Sequence, residues 1–153
     1  MQVIKNMQAG SEYLLNKGFK LVSGGTDNHL CLIDMRSKGT DGGRIEALTE
    51  HTLISLNKNT VPGDKSALNP SGIRIGSPAM TTRGCKTGDY IQIMKFLERV
   101  TEITNNISKK VPGTKLKDFK EALKGELENS EIISLRKEVE DFTKEFPVPG
   151  GNI

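Results

Sequence analysis

The sequence predicts a mixed α/β fold of the two-layer α+β kind: a short sheet packed by helices, followed by a helical tail. Three observations carry this expectation. Between residues 18 and 86 the apolar residues fall in short β-rich runs separated by Gly-, Asn- and Asp-rich segments. From Thr87 onward the apolar period becomes that of an α-helix. The length, 153 residues, is that of one domain with room for a real core. A single domain over 1–153 is expected, with a leading helix (1–17), sheet and loops (18–86) and the helical tail (87–153).

In order along the chain, Val3, Ile4, Met7, Leu14 and Leu15 recur near helical spacing, and Lys17-Gly18 offers a basic end and a C′ glycine. Phe19–Ser23 and His29–Met35 read as strands, and Gly24-Gly25-Thr26-Asp27-Asn28 between them suits a tight reversal. The Gly-rich run Lys38–Gly43 leads to a helix through Ile45, Ala47 and Leu48. Thr52–Leu56 and Ile73-Arg74-Ile75 read as further strands. Ile93, Phe96, Leu97, Val100, Ile103 and Ile107 then form one helical stripe, with Thr87 as its N-cap. Pro112-Gly113 stops it. Thr114 is placed to cap a second tail helix carrying Leu116, Phe119, Leu123 and Leu127. Ser130 opens a third through Ile132, Leu135, Val139, Phe142 and Phe146, ended by Pro147 and Pro149-Gly150-Gly151. These stripes are read as core-facing, because burying one apolar face is what a surface helix does.

Composition removes several functional classes. The 35% apolar content, with 16 glycines beside it, is ordinary for a globular chain. No apolar run approaches the length of a membrane span, and Met1–Asn6 lacks the apolar region of a secretory signal. Net charge is +3, and neither half carries a one-signed field. Two Tyr, five Phe and no Trp leave little for base stacking, so no nucleic-acid partner is expected. Cys31 and Cys85 form no CxxC pair, which suits a reducing, cytoplasmic compartment.

The segment Asn57–Gly72 is sixteen residues without a period, yet rich in residues that bond their own backbone. A loop of that length inside a domain is functional or mobile, and its composition favours a defined path. After it, Arg74 alternates with Ile73 and Ile75, so its guanidinium leaves the opposite face. Two readings stay open for Arg74: a clamp on a carboxylate, or an ordinary ion pair with one of 19 acidic residues. Ser77–Gly84 is hydroxyl-rich and could offer backbone donors to an anion, but no P-loop or GxGxxG pattern is present. His29 and His51 lack ligand-like partners and read as structural; no metal site is expected. Cys31 reads as packed in a strand. Cys85 lies beside Arg83 and Lys86, a setting for a lowered thiol pKa, with an unreactive thiol as the alternative.

Three long motifs in order carry a resemblance: Val22–Leu30, Asn57–Asp64, and Ser71-Gly72-Ile73-Arg74-Ile75-Gly76-Ser77-Pro78 continuing to Gly84. With Leu116–Phe119 and Phe146–Gly150, they resemble serine hydroxymethyltransferase over essentially the whole chain. That family interconverts serine and tetrahydrofolate with glycine and 5,10-methylenetetrahydrofolate on pyridoxal phosphate. The resemblance implies the small C-terminal domain of the aspartate-aminotransferase-like (fold type I) enzymes, about the last third of the family's length. It implies that Arg74 binds the substrate α-carboxylate, that Asn59 contacts the folate, and that Asn57–Gly72 walls the active site. Ser77 stands where threonine is common in that family and keeps the hydroxyl.

The family's Schiff-base lysine, in a Thr-rich segment followed by His-Lys, has no counterpart in these residues. The resemblance therefore implies no catalytic residue and no tightly held pyridoxal phosphate in this chain alone. It implies binding residues that act with the large cofactor domain, in a homo-oligomeric parent that is cytoplasmic or mitochondrial, with no membrane partner. The competing readings are a non-catalytic interaction module of the same fold and a small independent enzyme built around Arg74.

Overall fold

A computed structural model describes residues 1–150; Gly151, part of the expected terminal stop, lies outside the described residues. The architecture is α+β, a four-stranded antiparallel sheet with helices, as expected. Helix α1 (Gln2–Asn16) ends where the Lys17-Gly18 pair predicts. Gly18 takes φ +84°, its N–H bonds Leu15 O at 3.1 Å, and the Phe19 N–H bonds Leu14 O at 3.0 Å. This Schellman reversal is closed by contact-ready apolar partners, since Leu14 and Phe19 are both buried.

Strand β1 (Lys20–Leu21) is shorter than Phe19–Ser23, because Ser23 turns to φ +66° inside a 3₁₀ turn at Val22–Gly24. The following glycines do not make a tight reversal. They belong to a longer connection in which the Thr26 hydroxyl donates to Leu30 O and accepts from the Asn28 N–H. Strand β2 (Leu30–Asp34) then pairs with β1. Helix α2 (Gly42–Thr49) starts at an Asp41 cap, whose Oδ1 accepts the Arg44 N–H at 2.9 Å.

The strand expected at Thr52–Leu56 does not form. The Thr52 N–H and hydroxyl both bond Thr49 O (3.1 and 3.3 Å), and Leu53 takes φ +62°, which turns the chain off α2. The third strand is instead β3 (Asn57–Asn59), polar residues that composition assigns to a loop. Pairing with β4 (Gly72–Gly76) makes it a strand: Asn57 opposes Arg74, Lys58 opposes Ile73, and Asn59 opposes Gly72. Its outward Lys58 N–H is satisfied by the Glu46 carboxylate of α2 at 2.8 Å. The sheet order is β1-β2-β4-β3.

Helices α3 (Pro78–Thr82), α4 (Thr87–Lys109), α5 (Leu116–Glu126) and α6 (Ser130–Lys144) complete the chain. Thr87 is the first helical residue rather than the cap; Asp89 receives the free Lys86 N–H at 2.8 Å. Thr114 does not cap α5 either. Lys115 occupies that position, and Thr114 offers its carbonyl to Arg44 Nη2 at 2.7 Å. Asn129 caps α6 through the Glu131 N–H at 2.8 Å.

The core lies between the inner face of the sheet, through Leu21, Cys31, Ile33 and Ile73, and the helices α1, α2 and α4. The α4 stripe is buried as expected except at Ile93, which is half-buried while Tyr90 and Met94 go inside. Each fully buried side chain of this kind contributes about 1.5–3 kcal/mol. Gly10 admits Met94, since a Cβ there would stand 2.9 Å from Met94 Cε. α5 and α6 cover the far side of α4 through Phe119, Leu123, Ile132, Leu135 and Val139. Arg83 closes the end of α6 by donating to Thr143 O at 2.9 Å and Phe146 O at 2.8 Å. Among the described residues, no helix is long and apolar enough to cross a membrane.

At the N-terminus of α2, a Cβ on Gly42 would run into the Gly72 carbonyl oxygen of β4. Backbone cannot yield as a side-chain tip can, so Gly42→Ala is expected to cost about 1–3 kcal/mol. Urea denaturation should show the lower midpoint; an unchanged midpoint would contradict this packing.

Candidate functional site

The pleat settles which side chains meet. Strict alternation along β2 and β4 sends Cys31, Ile33, Ile73 and Ile75 to the inner face and Leu30, Leu32 and Arg74 to the outer one. The register adds Asn57 beside Arg74 and Asn59 one row further on, opposite Gly72. Arg74 and Asn59 therefore share the outer face, on neighbouring strands.

Arg74 is exposed, and its side chain makes no hydrogen bond or ion pair among the described residues. Of the two readings open at Arg74, the internal ion pair is not the one the structure contains. Arg74 lines an open cleft of about 960 Å³ with His29, Glu50, Leu53, Leu56 and Asn57. A guanidinium with its whole donor fork free can take a carboxylate by two parallel hydrogen bonds. The strained Leu53, half-exposed at φ +62°, forms part of that wall.

Asn59 is half-buried, and its Nδ2 donates to Thr60 O at 2.8 Å. Its carbonyl oxygen takes no hydrogen bond among the described residues and is available to a ligand donor. The loop that follows has the defined path its composition suggests. Asp64 Oδ2 accepts the N–H groups of Val61 and Ser71, both at 2.9 Å, and Oδ1 accepts the Ser71 hydroxyl. Arg36 forks onto Asp34 (Nε to Oδ1 3.0 Å, Nη2 to Oδ2 2.7 Å) and also donates to Pro62 O at 2.9 Å. Sequence reading missed Asp64 and Arg36. The Pro62-Gly63-Asp64 turn was the available signal for the first; nothing local marks Arg36.

Other candidates are placed by burial. Burial pushes the thiols of Cys31 and Cys85 up to about 11, so the cations beside Cys85 do not activate it. The hydroxyls of Ser77–Gly84 are committed: Ser77 Oγ donates to Val3 O at 2.8 Å, Thr81 to Ser77 O at 2.6 Å and Thr82 to Pro78 O at 3.0 Å. The buried Tyr90 hydroxyl, also bonded to Ser77 O at 2.6 Å, fixes the exit of β4. His29 lends its carbonyl to the Ser77 N–H at 2.9 Å and stands at the cleft rim. Among the described residues no three His, Cys, Asp or Glu side chains converge as a metal cage.

The donors from Ser71 and Val61 lower the Asp64 carboxyl from its ordinary 3.8 to about 2. A depressed native pKa stabilises the ionised form, so its contribution is whole above about pH 4 and is lost as pH falls through about 2. Amide hydrogen exchange should keep Val61 and Ser71 protected at pH 4 and release them near pH 2, ahead of the α4 core. Release already at pH 5 would exclude Asp64 as the pin.

The family model of serine hydroxymethyltransferase matches residues 1–97. Serine hydroxymethyltransferase 3, chloroplastic, of Arabidopsis thaliana is 50% identical over 97% of this chain and 28% of its own length. The cytosolic serine hydroxymethyltransferase of Oryctolagus cuniculus is 49% identical over 97% of the chain and 31% of its own. That of Bombyx mori is 47% identical over 97% and 32%. The chain thus spans about three-tenths of the length of these relatives. With three motifs, a family model and relatives near half identity in agreement, the chain belongs to the serine hydroxymethyltransferase family.

Proposed function

We propose that this chain is the C-terminal domain of a serine hydroxymethyltransferase, supplying substrate contacts to an active site completed by a large cofactor domain. The observation that carries the reading is Arg74, an unpaired guanidinium lining the cleft. In this reading Arg74 holds the α-carboxylate of serine or glycine, and Asn59 contacts tetrahydrofolate. The parent is a cytoplasmic homo-oligomer that transfers a one-carbon unit between serine, glycine and the folate. The cytosolic names of several relatives support that compartment.

Pyridoxal phosphate, the cofactor of this family's chemistry, does not fit the cleft of this chain. Tethering its aldehyde takes a lysine amine, and no lysine is among the residues lining the cleft. The sequence likewise lacks the Thr-rich His-Lys segment that holds that lysine in the family. The carbon–carbon chemistry then belongs to the large cofactor domain, and the chain alone binds without turning over.

Two measurements test this. A visible absorption scan of the chain with pyridoxal phosphate, glycine and a reduced folate is expected to show no glycine- and folate-dependent band; such a band, or serine–glycine exchange by the chain alone, would sink the reading. In a chimaera where the chain replaces the matching segment of a full-length relative, Arg74→Ala should weaken glycine binding roughly ten- to a hundredfold, about 1.5–3 kcal/mol. Cofactor attachment should be unaffected. Unchanged glycine affinity would remove Arg74 from the site.

A further inference from the structure

One peptide plane connects Asp64 to the outer face of the sheet. The Thr60–Val61 peptide gives its N–H to Asp64 Oδ2 at 2.9 Å and takes the Asn59 Nδ2–H on its C=O at 2.8 Å. Because a peptide is planar, fixing the N–H fixes the direction of the carbonyl. The carboxamide of Asn59 is therefore aimed by a carboxylate five residues away that faces the loop rather than the cleft.

We propose that Asp64 is a positioning residue for Asn59: it orients the Thr60–Val61 peptide, which orients the Asn59 carboxamide toward a bound folate. The proposal rests on the reading of Asn59 as a folate contact. Three further features hold the same peptide. Ser71, at the far end of the loop, gives both its N–H and its hydroxyl to Asp64, so one carboxylate closes both ends of the segment between β3 and β4. Val61 is buried against Gly72, where a Cβ would meet Val61 Cγ1, so the peptide cannot rotate without lifting an apolar side chain. Arg36 holds the next carbonyl, Pro62 O, from the Asp34 ion pair on β2. Gly63 is required beside it, with φ +94° and a virtual Cβ only 3.3 Å from Arg36 Nη1.

Arg74 is held differently. Its strand is paired on both sides, with Leu32 of β2 and Asn57 of β3, and needs nothing from the loop. Losing Asp64 should thus disturb the folate contact and spare the carboxylate clamp, a split that general loss of structure would not produce.

In the same chimaera, Asp64→Ala is expected to raise KM for the reduced folate about tenfold while KM for serine changes less than about twofold. Asp64→Asn should restore most of the folate KM, since its oxygen can accept both backbone N–H groups and its amide can donate to the Ser71 hydroxyl. Adding Asp64→Ala to Asn59→Ala should cost little beyond Asn59→Ala itself, because the two act through one contact. If Asp64→Ala does not fold, Ser71→Ala, which removes one donor to Asp64, should give a smaller rise in folate KM alone. An unchanged folate KM in the Asp64 or Ser71 variant, with Asn59→Ala raising it, overturns the proposal and leaves the folate reading standing. Equal rises in both KM values overturn it as well, marking Asp64 as merely structural. A silent Asn59→Ala fails the folate reading, and the positioning role falls with it.

Discussion

Two backbones touch where Gly42 meets Gly72, and most of the functional face depends on that approach. With no side chain on either residue, the first turn of α2 lies directly against β4, and the Gly42 N–H reaches Pro70 O at 3.1 Å. From there Glu46 falls beside the free edge of β3, while the Met35 N–H takes Ser71 O at 3.0 Å. The loop between β3 and β4 is gathered at its base by these bonds and by Asp64. A larger residue at Gly42 would push α2 off β4, and one at Gly72 would strike Val61 and the carbonyls of the neighbouring strands.

The rest of the chain supports this face from behind. α4 is the spine: α1, α2, α5 and α6 all pack on it, and its buried stripe from Tyr90 to Ile107 supplies much of the core. Its first turn also reaches the site, because the Tyr90 hydroxyl holds the carbonyl of Ser77 just past β4. Buried Asn6 performs a similar task from α1, donating to Thr81 Oγ1 and to Cys85 O, both at 2.9 Å. These polar contacts add specificity to an apolar core, since each fixes one relative placement of the helices and the sheet. Cations are also matched to helix ends: Arg83 holds the last carbonyls of α6, and Lys38 Nζ meets Lys17 O at the end of α1.

Division of labour follows from these arrangements. The inner face packs the core, the Ser77, Thr81 and Thr82 hydroxyls are engaged by backbone carbonyls, and both thiols are buried. What stays unspent is on the outer face, where Arg74 and the carbonyl of Asn59 have ligand capacity left.

The amino-acid sequence by itself determined the helices with long apolar stripes, the Lys17-Gly18 stop, the Arg74 strand and the family. All of these depend on local period, on a turn residue or on contiguous motifs. Tertiary structure alone decided the rest. Thr52–Leu56 has strand composition, but the Thr52 hydroxyl found Thr49 O; Asn57–Asn59 has loop composition, but β4 offered a partner. Thr87 and Thr114 look like caps, yet the chain used Asp89 and left Thr114 to Arg44. Cys85 sits among cations in sequence and under apolar cover in space. The physical reason differs by case: for β3, Thr114 and Cys85 a distant partner or burial outweighed local preference, whereas at Thr52 and Thr87 a competing bond three residues away won, chosen by the folded backbone.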